Sequence, residues 1–367
     1  MGERRRREMR NLYFIRHGDV AMPGGVRRCV GNSDYPLSAL GRLRAVLLAP
    51  GYEGREVGEV FSSPLSRAEE TAALMGARPV VLAGLEEAGM GEWDGLPFDD
   101  IREAWPELFA RRGKEPYLLP PGAEPAEAVL ARFTNAVEDA LECTRGDLVF
   151  VTHRTALRLF LSRALGMDAA AAARLELKYG SVTHLEYEGG SYSLRGRAGK
   201  RPRPELLPGL CRRMLAAAAP DKVAAHCRAV EREALSLVCS LAAAGIWLNE
   251  FDVSAAALLH DIARTEPEHA QRGAEYLNEL GYPRVADIIR QHHGLDDPEL
   301  IDEAAVVFIA DKRVQGTEYV GVEERFAASE AKCVTPEAKA AHAYQLEISR
   351  GIERRLAGLG VRQRRGV

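Results

Sequence analysis

Residues 12–19 read "LYFIRHGD": four apolar or aromatic residues run straight into an Arg-His-Gly triplet. A short apolar run of this kind, closed by polar residues, fits a strand buried on both faces. Three similar runs follow, "VGEVFSS" (57–63), "PVVLA" (79–83) and "DLVFVTH" (147–153). Amphipathic helical stretches lie between them, notably at 66–76 and 124–142. Alternation of strand and helix predicts a three-layer αβα domain with a mostly parallel sheet. "THLEYEGGSYSLR" (183–195) closes it as a hairpin turning on Gly189-Gly190.

Beyond that hairpin the chain changes character. "GRAGKRPRPELLPG" (196–209) is rich in Gly, Pro and basic residues and reads as a linker. Val223, Cys227, Val230, Ala234, Leu237 and Leu241 then step by four and three along one helix face. The second half is therefore expected to be all-α. The boundaries expected are a disordered basic tail over 1–10, an α/β domain over 11–196, a linker over 197–208 and a helical domain over 209–367. Two domains suit 367 residues.

Composition narrows the function classes. A net charge of -4 with 28% charged residues is ordinary for a soluble globular protein and gives no reason to expect a nucleic-acid partner. No run approaches a membrane span, and Leu12–Ile15 is too short for a signal-peptide core. Six cysteines without a C-x-x-C pair suit reduced thiols in a cytoplasmic protein.

The first half resembles the histidine phosphatase superfamily, which includes the phosphoglycerate mutases. "RHG" (16–18), "GNSDYPLSALG" (31–41), "SSPLSRAEETA" (62–72), "LEEAGMGEWDG" (85–95) and "VTHR" (151–154) carry the likeness in the right order. The resemblance implies a phosphoglycerate mutase-like fold and a phosphate site at the strand ends. In that frame Arg16 and Arg67 neutralise and orient the phosphate with their forked donors. His17 attacks phosphorus as a neutral ring, forming a phosphohistidine. His153 stabilises the phosphoryl oxygens in the transition state. Glu87, four residues before Gly91, is the acid that protonates the leaving alkoxide and later activates water. Its neighbour Glu86 reads as a surface charge. Arg27 and Asn32 follow the first motif and are candidate substrate contacts. The short connection between Gly95 and Pro121 favours hydrolysis over mutase chemistry, and no cofactor is expected in this half. The compact bacterial phosphatases, including the α-ribazole phosphate phosphatases, are similar in this respect.

"SAAALLHDIAR" (254–264) carries a His-Asp doublet at the end of an apolar helix. With His226 on a preceding helix and Asp311 in "VVFIADK", it resembles the HD phosphohydrolase superfamily. Imidazoles and carboxylates converging in a helical interior suit a divalent transition metal. "EHAQRGAEYL" (268–277) and "IIRQHHG" (288–294) resemble the extra motifs of dinuclear members, which adds His269 and His292 and makes Asp261 a bridging ligand. Helical spacing leaves His292 and His293 equivalent, and the family frame selects His292. Manganese, iron, cobalt, nickel and magnesium all remain open, with two ions expected. Lys312, Arg313 and Arg325 are candidate phosphate contacts, while His184 and His342 read as packing or surface histidines.

The expectation is a bifunctional phosphohydrolase acting on small phosphorylated metabolites or nucleotides. The residues also admit an N-terminal phosphatase whose HD half only senses a nucleotide, and a non-enzymatic scaffold. Intact buried charged sets in both halves argue against the scaffold.

Overall fold

The computed structural model describes residues 9–49, 57–112, 115, 118–331 and 333–361. The chain divides into two compact units, with the division in sequence between Pro204 and Glu205.

The first unit contains β1 (Arg10–Arg16), α1 (Ala39–Val46), β2 (Val57–Ser62), α2 (Ser66–Leu74), β3 (Val80–Val81), α3 (Phe98–Ala104), α4 (Pro106–Arg112), α5 (Ala126–Cys143), β4 (Asp147–Thr152), α6 (Arg154–Ala164), α7 (Ala169–Ala173), β5 (Val182–Glu188) and β6 (Ser191–Lys200). Its strands form one sheet in the order β3-β2-β4-β1-β5-β6. The β3-β2-β4-β1 part is parallel, and the β5–β6 hairpin adds antiparallel to β1.

Alternation along the central strands builds two cores. Leu12, Phe14, Leu148 and Phe150 pack with Val129, Phe133 and Val137 of α5 and with Leu157 and Phe160 of α6. Tyr13, Ile15, Val149 and Val151 face the other way and pack with Ala68 and Ala72 of α2. Period-two side chains buried on both faces are why these strands read as continuous apolar runs. Because β1 and β4 are parallel neighbours, with Arg16 opposite Thr152, they end side by side. Arg16, His17 and His153 therefore leave the sheet at one edge, where open α/β sheets bind ligands.

Two boundaries differ from the sequence reading. Arg10, assigned there to the tail, begins β1: its guanidinium donates to the carbonyls of Leu141 and Gly146 and to Thr144 Oγ1, holding the end of α5. Residues 1–8 lie outside the described residues. β6 runs on to Lys200, which pairs with Val182, so residues 197–200 are strand and not linker.

The second unit is helical: α8 (Pro208–Ala218), α9 (Asp221–Ala243), α10 (Glu250–Leu259), α11 (His269–Leu280), α12 (Pro283–Arg290), α13 (Glu303–Arg313), α14 (Val322–Glu330) and α15 (Pro336–Gly358). A minimal hairpin, β7 (Val314–Gln315) with β8 (Glu318–Tyr319), joins α13 to α14. The α9 face read from the sequence is buried throughout. α13 is buried from Ala304 to Arg313 and packs on α9, α10, α12, α14 and α15, as a helix at the centre of a bundle must. No described helix is long and apolar enough to cross a membrane. All six cysteines are unpaired.

Candidate functional site

At the sheet edge of the first unit, the His17 and His153 rings stand 4.9 Å apart. His17 Nδ1 lies 2.7 Å from the Gly18 carbonyl oxygen. A carbonyl only accepts, so Nδ1 carries the proton and Nε2 keeps its lone pair. Burial, then the charges of Arg16 and Arg67, push the His17 imidazole well below the usual histidine range. Burial, then His17 and Arg67, do the same to His153. Both rings are therefore neutral at neutral pH. The motif glycines permit the close fit: a Cβ on Gly18 would run into the Gly41 carbonyl, and one on Gly41 into that of Asp19.

Arg67 has no exposed surface and is fixed by donating to the carbonyls of Gly31 and Ser33, both at 2.8 Å. Arg16 donates to the Leu177 carbonyl at 2.7 Å, and its guanidinium carbon sits 3.7 Å from the centroid of the Tyr179 ring. Burial lowers Arg16 to about 10, which leaves it cationic. Each guanidinium has a buried Nε without a protein partner, so donor capacity remains for an anion.

Glu87 is buried at the start of α6. Its Oε1 accepts from the N–H groups of Ala88, Thr155 and Ala156 at 2.9–3.0 Å, while Oε2 only shares the Thr155 N–H at 3.0 Å. Oε2 is thus the freer oxygen. Glu86 points elsewhere, accepting from Gly84 N–H and pairing with Arg132. Of the two, Glu87 is the one that reaches the start of α6 beside His153.

Arg27 and Asn32 are not gathered into the cluster. Arg27 is exposed, its guanidinium 5.8 Å from the Phe98 ring centroid, and Asn32 is an exposed loop residue whose N–H donates to Asp94. Other residues join instead. Ser63 Oγ is 2.8 Å from His153 Nε2, and Thr71 Oγ1 accepts from Gly18 N–H while donating to the Arg67 carbonyl. Arg132 of α5 donates to the carbonyls of Gly84, Glu86 and Glu87, anchoring the acid's loop. Tyr179 carries no sequence signal, because its stacking on Arg16 exists only in the folded state.

In the second unit, His226, His260 and Asp311 form one group that can hold a metal ion, and His269, His292 and His293 form another. Asp261 lies between them. Its Oδ2 is 3.7 Å from His260 Nε2, and its Oδ1 is 3.1 Å from His269 Nε2 and 3.8 Å from His292 Nε2. His260 Nδ1 donates to the Ala257 carbonyl and His292 Nδ1 to that of Ile289. Their Nε2 atoms are buried without a protein partner. Backbone-anchored imidazoles with free inward nitrogens are what a metal requires, so the donor set fits divalent ions.

Burial opposes ionisation of Asp311, yet the Lys312 charge and a hydrogen bond from His226 hold it well below the usual carboxylate range. Asp261 is likewise lowered: burial raises it, and the His269 contact and His260 outweigh that. The reading that chose between His292 and His293 is widened, since His293 Nε2 approaches His269 Nε2 to 3.0 Å.

A cavity of about 710 Å³ opens over this centre. Arg325 lines it, and so does Lys312, whose Nζ is held by Asp311 Oδ2 at 2.7 Å and the His292 carbonyl at 3.1 Å. Arg313 does not: only 1% exposed, it bridges Glu233 and Glu353 and is structural, which corrects its assignment as a phosphate contact. His342, read as a packing or surface residue, lies in the cavity wall with Phe326 and Ser329. His184 does pack, stacked on Tyr13.

Comparison with known proteins defines a phosphoric ester hydrolase with one family match in each unit. The Histidine phosphatase superfamily (branch 1) matches residues 12–198, and the chain belongs to that superfamily. An HD domain, a metal-dependent class, matches residues 223–314. A "Probable phosphoglycerate mutase GpmB" of Yersinia pestis (strain Pestoides F) is 30% identical over 188 residues, 49% of this chain and 86% of that protein. A mycobacterial glucosyl-3-phosphoglycerate phosphatase structure is 25% identical, covering 53% of this chain and 100% of its own, with a TM-score of 0.48. Bacillus stearothermophilus YhfR is 29% identical, covering 50% of this chain and 94% of its own, with a TM-score of 0.47.

Proposed function

We propose that the chain is a bifunctional phosphohydrolase with two independent centres for small phosphorylated metabolites or nucleotides. In the first, His17 Nε2 attacks the phosphorus of a monoester while Arg16 and Arg67 neutralise and orient the phosphate. Glu87 Oε2 gives its proton to the departing alkoxide. It then takes a proton from the water that attacks the phosphohistidine, which returns His17 to its starting state. His153, neutral and held by Ser63, donates to the phosphoryl oxygens as charge builds on them.

In the second, His226, His260 and Asp311 would hold one divalent ion and His269 and His292, joined by His293, would hold another, with Asp261 lying between the two groups. Such ions supply positive charge and Lewis acidity to a bound phosphoester. Lys312 fixes the orientation of Asp311, and Arg325 faces the cavity where the substrate's remaining phosphate charge would lie.

The observation that carries this reading is the pair of centres of opposite charge, one built on the buried Arg67 with the half-buried Arg16 and the other on the buried Asp261 and Asp311. The test is a phosphatase screen over a phosphometabolite panel, with and without chelator. Activity that survives chelation is expected to vanish in His17→Ala, and activity lost to chelation is expected to vanish in Asp261→Ala. Loss of all activity on chelation would overturn the two-centre reading.

A further inference from the structure

The two arginines of the His17 centre are held in different ways. Arg67 is anchored by the Gly31 and Ser33 carbonyls, with the Asp34 carboxylate 3.8 Å away. The guanidinium of Arg16, among the described residues, finds its hydrogen-bond and ring partners in one short turn, residues 177–181 between α7 and β5. It donates to the Leu177 carbonyl and lies over the Tyr179 ring. The same turn is stitched to the backbone at the nucleophile. Gly180 N–H is shared by the Arg16 and His17 carbonyls at 3.0 and 3.1 Å, and Arg16 N–H donates to the Ser181 carbonyl at 3.0 Å. The Tyr179 ring also stands 5.5 Å from that of His17. Whatever sets this turn therefore sets the direction of Arg16.

The turn rests on Arg44 of α1. Gly180 is buried at φ +63°, and a Cβ there would lie 2.6 Å from both Cγ and Cδ of Arg44. The arginine stem thus fills the space against the turn. Arg44 is itself only 5% exposed, and its Nε donates to Oδ2 of Asp19, two residues beyond His17, at 2.7 Å. Asp19 is fixed in turn by Ser38, whose N–H and Oγ–H both donate to its carbonyl. Burying a guanidinium costs desolvation that a single ion pair offsets only in part, so stability alone does not account for Arg44. The contacts close a loop that runs from His17 through Asp19, Arg44 and Gly180 back to Arg16.

We infer that Arg44 is a positioning residue of the His17 centre: its stem supports the 177–181 turn, and through Leu177 and Tyr179 it aims Arg16 at the phosphate. The assignment rests on the phosphatase reading of His17, and it adds a residue that lies outside the motifs carrying the family likeness.

Inorganic phosphate, titrated by calorimetry in chelator, reads the aim of Arg16 without turnover. Arg44→Ala removes the stem and is expected to weaken phosphate binding by about tenfold, the worth of one charge-assisted contact. KM for nitrophenyl phosphate should rise in step. A role in folding alone would lower the number of active sites and leave KM unchanged. Arg44→Lys keeps a stem beside Gly180 and a cation for Asp19, so it should bind phosphate within about threefold of wild type. In an Arg16→Ala background the Arg44→Ala change should cost nothing more, since the two residues act in series. If Arg44→Ala does not fold, Gly180→Ala pushes the turn off the Arg44 stem and should show the same loss with the same dependence on Arg16. Phosphate affinity within about twofold of wild type in a folded Arg44→Ala, or a loss that persists without Arg16, would overturn the assignment and leave the phosphatase reading standing. A wild type that binds no phosphate in chelator, and whose hydrolysis is unchanged in His17→Ala, would overturn both.

Discussion

Replacing Glu87 by glutamine separates the acid's chemistry from its place in the fold. An amide oxygen in the position of Oε1 keeps the N–H groups of Ala88, Thr155 and Ala156. The amide nitrogen then replaces Oε2, whose only backbone contact is shared with Thr155. The structural cost is therefore one weakened hydrogen bond, about 1 kcal/mol. The chemical cost is the whole of proton transfer, on the order of 10²–10⁴ in rate or roughly 3–5 kcal/mol. Stopped-flow assays in chelator resolve where that loss falls. An alkyl phosphate, whose alkoxide cannot leave without a proton, is expected to slow by the full factor. Nitrophenyl phosphate, whose phenolate leaves unprotonated, is expected to release about one equivalent per site in a burst. Turnover then stalls, because Glu87 is also needed to activate water. Equal slowing of both esters with no burst, in a variant with an unchanged fold, would refute the assignment of Glu87 as the acid.

Arg67→Lys keeps the charge but loses the two-carbonyl anchorage, so kcat/KM at the His17 centre should fall by roughly 10–10² and the unfolding midpoint should drop as the Gly31 and Ser33 carbonyls lose their donor; a change in kcat/KM below twofold contradicts a forked phosphate clamp. Asp261→Asn should reduce bound divalent metal from about two ions per chain to one or none, read by elemental analysis after dialysis, and an unchanged count removes Asp261 from between the two ions. His17 and His153 are both held well below the unfolded histidine value by burial. Below about pH 6.5 the unfolded chain binds protons that the folded unit refuses. The stability these two rings allow is thus complete above that pH and falls as pH drops toward their folded values, by about 1.4 kcal/mol per pH unit for each ring. Denaturant titrations of wild type and His153→Gln at pH 7 and pH 5 should differ by one ring's share, and parallel pH dependence would contradict the burial argument.

The catalytic candidates were legible where a polar side chain interrupts an apolar strand, since a buried run ending in Arg-His or Thr-His needs a reason for its ending. The HD centre was legible through side chains whose helical spacing turned them inward, as with His226 beside Val223 and Val230. What escaped depends on contacts that no local pattern encodes. Tyr179 matters because Arg16 crosses its ring, and Arg132 because its fork reaches three carbonyls some 45 residues away in sequence. Arg313 misled for the opposite reason. A basic residue two places after a ligand aspartate looks like a phosphate contact until α9 and α15 each bring a glutamate to it. Arg27 is a similar case, since its loop leaves it exposed over the Phe98 ring.

The two centres solve the same electrostatic problem with opposite charges. A phosphate monoester arrives with up to two negative charges, and the His17 centre meets it with the buried Arg67, the half-buried Arg16, two neutral imidazoles and the Glu87 carboxyl. The balance there already favours the anion. The second centre offers two ionised aspartates, Asp261 and Asp311, against the buried cation Lys312, the more exposed Arg264 and a set of imidazoles. At the short distances in this pocket, two carboxylates repel a phosphate strongly. Phosphate can therefore enter the HD centre only together with cations that outweigh the aspartates, whereas the His17 centre has its positive charge built into the chain. A chelator should discriminate between them for this reason, independently of any family likeness. The same logic predicts that Asp311→Asn would weaken metal retention far more than it strengthens direct phosphate binding.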